Sequence, residues 1–188
     1  RIGTKFLYPG CGYGGSCFPK DVKALIKTAS DNGYQMQVLK AVENVNDKQK
    51  RILFDKFSRH YNNNLSGKTV AIWGVAFKPE TDDIREAPSL VNIELLLEAG
   101  CIVKIYDPIA MNEAQRVLGD RILYCSDLYD AALDADAVML LTEWKEFRLP
   151  SWKVLKKTMK HALVIDGRNI YDKKELKENG FDYYGIGG

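Results

Sequence analysis

The chain has 188 residues, 46% of them hydrophobic and 28% charged, which excludes a disordered tail or a collagen-like fibre and allows one large domain or two small ones. Its 27 Lys+Arg against 25 Asp+Glu leave a formal charge of only +2, too little to hold a nucleic-acid backbone by charge alone. No apolar run approaches the roughly 20 residues of a membrane helix, and the start at Arg1 has no apolar signal core, so we expect a soluble, cytoplasmic protein without membrane or nucleic-acid partners. The start without Met, in mid-element, reads as a piece of a longer protein.

After a glycine-rich opening, Val22, Leu25, Ile26 and Ala29 recur at helical spacing over 19–30, and Asp31-Asn32-Gly33 stops that helix with turn chemistry. A second stripe, including Val38, Val42, Val45, Leu53 and Phe57, predicts a helix over 35–60, roughly 40 Å long. Such length suits either a connecting helix packed on its own domain or a seam between two copies. The polar turn-rich run 62–67 marks a domain boundary, dividing a helical segment, 1–66, from a second domain, 67–188. Beyond it, short β-rich runs at 69–73, 102–106, 122–124, 138–142, 163–166 and 181–184 alternate with helical stretches at 89–99, 113–118, 128–133, 152–159 and 173–178. This alternation predicts an α/β fold, a Rossmann-like, doubly wound parallel sheet with helices on both faces. A ligand belongs beyond the carboxyl ends of the strands, which carry 74–78, Asp107-Pro108, Thr142-Glu143-Trp144 and Asp166-Gly167-Arg168.

Four cysteines (Cys11, Cys17, Cys101 and Cys125) form no paired CxxC, and the only histidines are His60 and His161, so we expect free thiols, no metal site and no Ser-His-Asp triad. The most informative segment is 9–21, Pro9-Gly10-Cys11-Gly12-Tyr13-Gly14-Gly15-Ser16-Cys17-Phe18-Pro19-Lys20-Asp21. Gly10, Gly12 and Gly15 fit G-x-G-x-x-G, but the dinucleotide fingerprint must follow a strand and be followed by another, whereas here helix follows helix. The glycines instead allow positive φ and close backbone approach, and deliver Cys17 to the first turn of a helix. There the backbone N–H groups and Lys20 favour a thiolate, while Asp21, one turn on, lies on the same face and can order a water or receive a proton. A buried, inert cysteine in a tight loop is the competing reading.

This segment resembles the nucleophile segment of the UDP-glucose/GDP-mannose dehydrogenase family. Three further stretches resemble it in the same order: 74–88, Leu141-Thr142-Glu143-Trp144 and Asp166-Gly167-Arg168. The resemblance implies an NAD-dependent enzyme that oxidises the C6 alcohol of a nucleotide sugar twice, through a thiohemiacetal and a thioester on Cys17, with Asp21 positioning water and proton transfer. It favours UDP-glucose as substrate and UDP-glucuronate as product. The resemblance further implies substrate contacts at Arg1, Phe6, Leu7, Tyr8, Pro9, Gly10, Gly14, Phe77, Lys78 and Arg168, and cofactor contacts at Lys20 and Arg85. Arg1 matches an arginine that in some members reaches the partner subunit's site, and a homodimer through the long helix is expected. The family's NAD-binding domain falls before Arg1, so the chain is expected to bind a UDP-sugar without turning over alone.

Cys11 replaces an expected aliphatic residue and leaves open an adventitious disulfide with Cys17. Tyr13 and Trp144 read as packing residues, and Asp82 and Asp83 read equally as a helix-start cluster. Alternatives are a dehydrogenase for GDP-mannose or a UDP-N-acetylamino sugar, and a non-catalytic UDP-sugar-binding and dimerisation module.

Overall fold

The computed structural model of the protein describes Gly3 and residues 8–187. The expected substrate contacts Arg1, Phe6 and Leu7 lie outside the described residues. Two helices come first: α1 (Phe18–Asp31), with Pro19 in its opening turn, and the long α2 (Gln37–His60). Turns at 61–67 lead to six parallel strands: β1 (Thr69–Trp73), β2 (Ile102–Tyr106), β3 (Leu123–Tyr124), β4 (Ala137–Leu140), β5 (Leu163–Asp166) and β6 (Asp182–Gly185). They are joined by the crossover helices α3 (Pro88–Glu98), α4 (Met111–Leu118), α5 (Leu128–Ala132), α6 (Trp152–Thr158) and α7 (Lys173–Glu178).

The sheet order is β3-β2-β1-β4-β5-β6, so strand direction of travel reverses between β1 and β4 and opens a crevice at their carboxyl ends. β4 and β5 are buried along their whole length, as near-continuous apolar runs in a sheet covered on both faces must be. Element ends differ from the expected ones by one or two residues. The strand expected to reach Thr142 ends at Leu140, because the Thr142 hydroxyl turns onto the Ala76 carbonyl and ties the loops after β4 and β1 together.

One face of the sheet packs Ile72, Ile105 and Met139 against Ile93 and Leu96 of α3 and against Leu53 and Phe57 of α2. The other packs Trp73 and Leu140 against Phe147, Trp152 and Leu155. The second half of α2 therefore shares the core of the sheet, while its first half leaves Val38 and Val45 exposed. Fully buried Asn92 of α3 joins the two helices: its amide accepts from the Phe54 N–H at 3.1 Å and donates to the Lys50 carbonyl at 2.8 Å. Those two groups stand four residues apart on α2, at the donor and acceptor positions of one helical turn, so α3 reads the helix by its backbone.

At the amino ends of the strands, Asp136 is 1% exposed and binds the first amide of β1, Thr69, at 2.8 Å, with His161 Nδ1 at 2.8 Å and Lys68 and Lys160 at 3.4 and 3.8 Å. Burial works against its charge, but the Thr69 amide, His161 and the two lysines hold its carboxyl below the usual range. A carboxylate depressed in the folded state adds stability that is fully present above its unfolded value of about 3.9 and is lost as pH falls through the lower folded value. We therefore predict that Asp136→Asn lowers unfolding free energy by about 2 kcal/mol at neutral pH in denaturant titration, and that the deficit shrinks below about pH 4. A pH-independent deficit, or none, would contradict this role.

Candidate functional site

The glycine-rich loop before α1 lies between α2 and the carboxyl end of the sheet. Gly12 and Gly15 adopt φ of +100° and +94°, the left-handed conformation that glycine enters without strain. Two side chains of α2 hold the loop by its backbone. Asn46 accepts from the Tyr13 N–H at 2.8 Å and donates to the Tyr13 carbonyl at 3.3 Å, and Gln49 donates to the Gly10 carbonyl at 2.7 Å. The Tyr13 hydroxyl donates to Glu43 and its ring meets Phe18 edge-on at 4.7 Å, so Tyr13 is a packing residue that also bonds α2.

On the sheet side, the Gly15 N–H donates to the Arg85 carbonyl at 2.8 Å. Gly14 comes closer still: a β-carbon there would lie 2.5 Å from the Glu86 carbonyl oxygen and 2.9 Å from Ala87 Cα, so no other residue fits without movement. Ala87 is the N-cap of α3 and Pro88 its first residue. Asp83 grips Arg85 with both carboxylate oxygens at 2.9 Å, so it shapes this turn, and α3 is capped by Ala87 rather than by an acid.

Around the crevice, the loop after β1 brings Phe77 against Gly15 and sets the Lys78 ammonium 5.3 Å from the Phe77 ring centre. Arg168, after β5, crosses to the same place, donating to the Phe77 carbonyl at 3.3 Å and lying against Gly10. Its Nε is 2.6 Å from Glu143 Oε2, a charge pair whose N–H direction falls outside hydrogen-bond alignment. Beneath it, Cys11 is fully buried, and burial, partly opposed by the Arg168 charge, pushes its thiol up to about 11. Burial likewise pushes the Asp166 carboxyl up, against the amides of Arg168 and Tyr171 and the Tyr183 hydroxyl that bond it. Gly10, Gly14, Phe77, Lys78 and Arg168 thus gather at one mouth, with Tyr8 and Pro9 exposed at its edge.

Cys17 is exposed and forms the N-cap of α1, with Ser16 Oγ 3.7 Å from its sulfur. Its carbonyl accepts from the Asp21 N–H at 2.9 Å, which sets Asp21 one turn along the helix. All four cysteines are free. The paired Asp83 carboxylate raises the Arg85 guanidinium above its usual range, and the bond from the Gly15 N–H to the Arg85 carbonyl brings the Arg85 main chain to the loop two residues before Cys17. Arg85, Lys20 and Asp21 are all exposed.

The crevice has the topology of a dinucleotide site but not its chemistry. The N-terminus of α3, where a pyrophosphate would be received, is covered by Gly14. Asp107, at the end of β2, sits where an acid receives an adenosine ribose in dinucleotide-binding sheets. Here it is 1% exposed and accepts from the amides of Val75, Ala76, Ile109 and Ala110 and from the Trp144 indole, at 2.7 to 3.1 Å. Asn46 and Gln49 have structural roles at the site that the sequence reading did not single out, and Asp107 and Glu143, expected at strand ends near a ligand, are taken up by contacts within the protein. The loop partners of Asn46 and Gln49 lie 33 and 39 residues away, and no local spacing signals such pairs.

Comparison with known proteins agrees with this arrangement. Residues 71–173 match the model of the UDP binding domain of the UDP-glucose/GDP-mannose dehydrogenase family, and residues 1–48 match the central domain of the same family. The chain is 48% identical over 192 residues to UDP-glucose 6-dehydrogenase of Pseudomonas aeruginosa, covering 100% of this chain and 42% of that one. It is 44% identical to UDP-glucose 6-dehydrogenase of Rhizobium meliloti, covering 100% and 43%. Its fold matches a UDP-glucose dehydrogenase from the archaeon Pyrobaculum islandicum with a TM-score of 0.85 at 35% identity, over 99% of this chain and 40% of that one. It thus spans about two fifths of the length of these relatives. Over that span, the matched models and the shared fold make this chain a member of the UDP-glucose/GDP-mannose dehydrogenase family.

Proposed function

We propose that this chain forms the central and UDP-binding parts of an NAD-dependent dehydrogenase that oxidises UDP-glucose to UDP-glucuronate, with Cys17 as nucleophile. The observation that carries this reading is an exposed cysteine at the start of α1, held two residues beyond a loop that is bonded to the mouth of the sheet. Residues 1–66 supply the nucleophile loop and the long helix, and 67–188 receive the nucleotide. Relatives named UDP-glucose 6-dehydrogenase support the choice of sugar.

In this reading the sugar and phosphates lie along Tyr8, Pro9, Gly10 and Gly14, with Phe77, Lys78 and Arg168 facing them and Arg1, Phe6 and Leu7 completing the contacts. Lys78 and Arg168 supply positive charge for a diphosphate, and Glu143 and the Phe77 carbonyl fix the direction of the Arg168 fork. The crevice offers no cradle for a dinucleotide, since Gly14 and Asp107 fill its two anchoring positions. What this chain presents to an anionic cofactor is the exposed pair Lys20, in the first turn after Cys17, and Arg85, whose carbonyl bonds Gly15. NAD would supply the hydride acceptor, one molecule for each of the two successive oxidations.

The first oxidation leaves an aldehyde at C6. The Cys17 sulfur adds to that carbon and converts an aldehyde with no ready hydride to give into a thiohemiacetal that has one. Its oxidation leaves a thioester, which a water held on the Asp21 side hydrolyses, releasing the carboxylate and the thiolate. The exposed Leu25, Val38, Val42 and Val45 on α1 and the first half of α2 support a homodimer seated there.

Calorimetric titration of this chain tests the nucleotide half: UDP-glucose is expected to bind at least tenfold more tightly than GDP-mannose, with UDP-N-acetylglucosamine between them. Equal affinities, or binding of the guanosine sugar alone, would sink the assignment. Iodoacetamide at pH 7.5 should label Cys17 first, because Cys11 and Cys101, both pushed up to about 11, keep fewer than about one thiol in a thousand ionised. In the complete enzyme, Cys17→Ser should cut UDP-glucuronate formation on the order of a thousandfold or more, and retained uronate formation would remove the nucleophile role.

A further inference from the structure

Glu86 stands at the turn that receives the glycine loop, in a conformation unusual for its residue type. Its φ is +55°, in the left-handed region that a residue with a β-carbon enters at a cost. Its main chain lies under Gly14, and the preceding carbonyl, of Arg85, accepts from Gly15. Its carboxylate reaches two helices at once: Oε1 meets Lys23 of α1 at 3.0 Å, and Oε2 meets Lys50 of α2 at 3.2 Å. The Lys50 side chain is 6% exposed, so one of the two contacts is shielded from water.

These contacts bracket Cys17. The backbone at 85–86 fixes the chain two and three residues before the sulfur, and the Glu86 carboxylate fixes α1 six residues after it. Among the described residues α1 buries only Pro19, so few packing contacts compete with this ion pair in setting the direction of the helix. We propose that Glu86 is a positioning residue for Cys17, its carboxylate locking the cysteine-bearing helix to α2 and to the nucleotide-binding sheet. The inference rests on the reading of Cys17 as nucleophile. The paired lysines have a second signature: the Lys23 hydrogen bond, opposed by burial and joined by Lys50, holds the Glu86 carboxyl below its usual range, so it is ionised at neutral pH.

Cys17 is needed only for the second oxidation, and that separates positioning from general stability. In a single turnover of the complete enzyme, Glu86→Gln keeps the side-chain shape and removes the charge. The first NADH should form at the unaltered rate and the second about tenfold more slowly, since an ångström of misplacement is enough to cost that much. The affinity for UDP-glucose should stay within about twofold. Lys23→Met removes only the α1 contact, leaves Lys50 paired, and should give the same selective slowing if Glu86→Gln does not fold. Unchanged phases in either folded variant, or equal slowing of both phases, overturns the proposal. Loss of uronate in Cys17→Ser together with unchanged Glu86→Gln and Lys23→Met phases would remove this inference alone, whereas a Cys17→Ser enzyme that still makes uronate removes the reading beneath it.

Discussion

The contact between Gly14 and the Glu86–Ala87 peptide fixes the relation between the glycine-rich, cysteine-bearing segment and the parallel sheet. A β-carbon at Gly14 would stand 2.5 Å from a carbonyl oxygen, so the two backbones touch directly with no side chain between them. Everything chemical about the loop follows from that approach. Gly15 can then bond Arg85, Phe77 can cover Gly15, and Cys17 emerges at the start of α1 instead of folding into the core. α2 supplies the other jaw through Asn46 and Gln49, whose side chains satisfy backbone groups of a loop that has no ladder of its own.

The same contact bears on how a sheet with dinucleotide topology can be put to a different use, as the proposed reading requires. The order β3-β2-β1-β4-β5-β6 provides a crevice at the point where the strand order reverses. A glycine loop from the helical segment closes over the start of α3, and Asp107 bonds four amides and an indole that hold the surrounding turns. Phe77, Lys78 and Arg168 stand at the ends of β1 and β5, and in the proposed reading they face a phosphorylated sugar rather than an adenosine ribose. Fold and use are thus separable, and individual side chains decide the use.

Most of the architecture was legible in the sequence because each element carries its own local sign. The strand runs are short and apolar, the helices repeat at 3.6 residues, and glycine or asparagine marks the turns, so all six strands and seven helices fall where periodicity puts them. The site was legible in part. Cys17, its helix, Phe77, Lys78 and Arg168 stand beside glycines or at strand ends, positions where sequence order translates directly into place. The roles of Asn92, Asp107 and Glu86 were not legible, although Asp107 was placed at a strand end. Each has partners 31 to 63 residues away beside any local ones, and nothing in the spacing of those distant partners distinguishes a buried amide or acid that holds turns together from an exposed polar residue. The left-handed conformation of Glu86 is likewise imposed by the loop packed on it, not by local preference.

The most direct test of the account is the turnover of the complete enzyme carrying Gly14→Ala. A single methyl group is added at the tightest point between the loop and the sheet, away from the thiol itself. If the close approach sets Cys17 in place, UDP-glucuronate formation falls by about tenfold to a hundredfold while UDP still binds the sheet. Turnover within twofold of the unsubstituted enzyme would mean that the loop is held by other contacts and that the central claim fails.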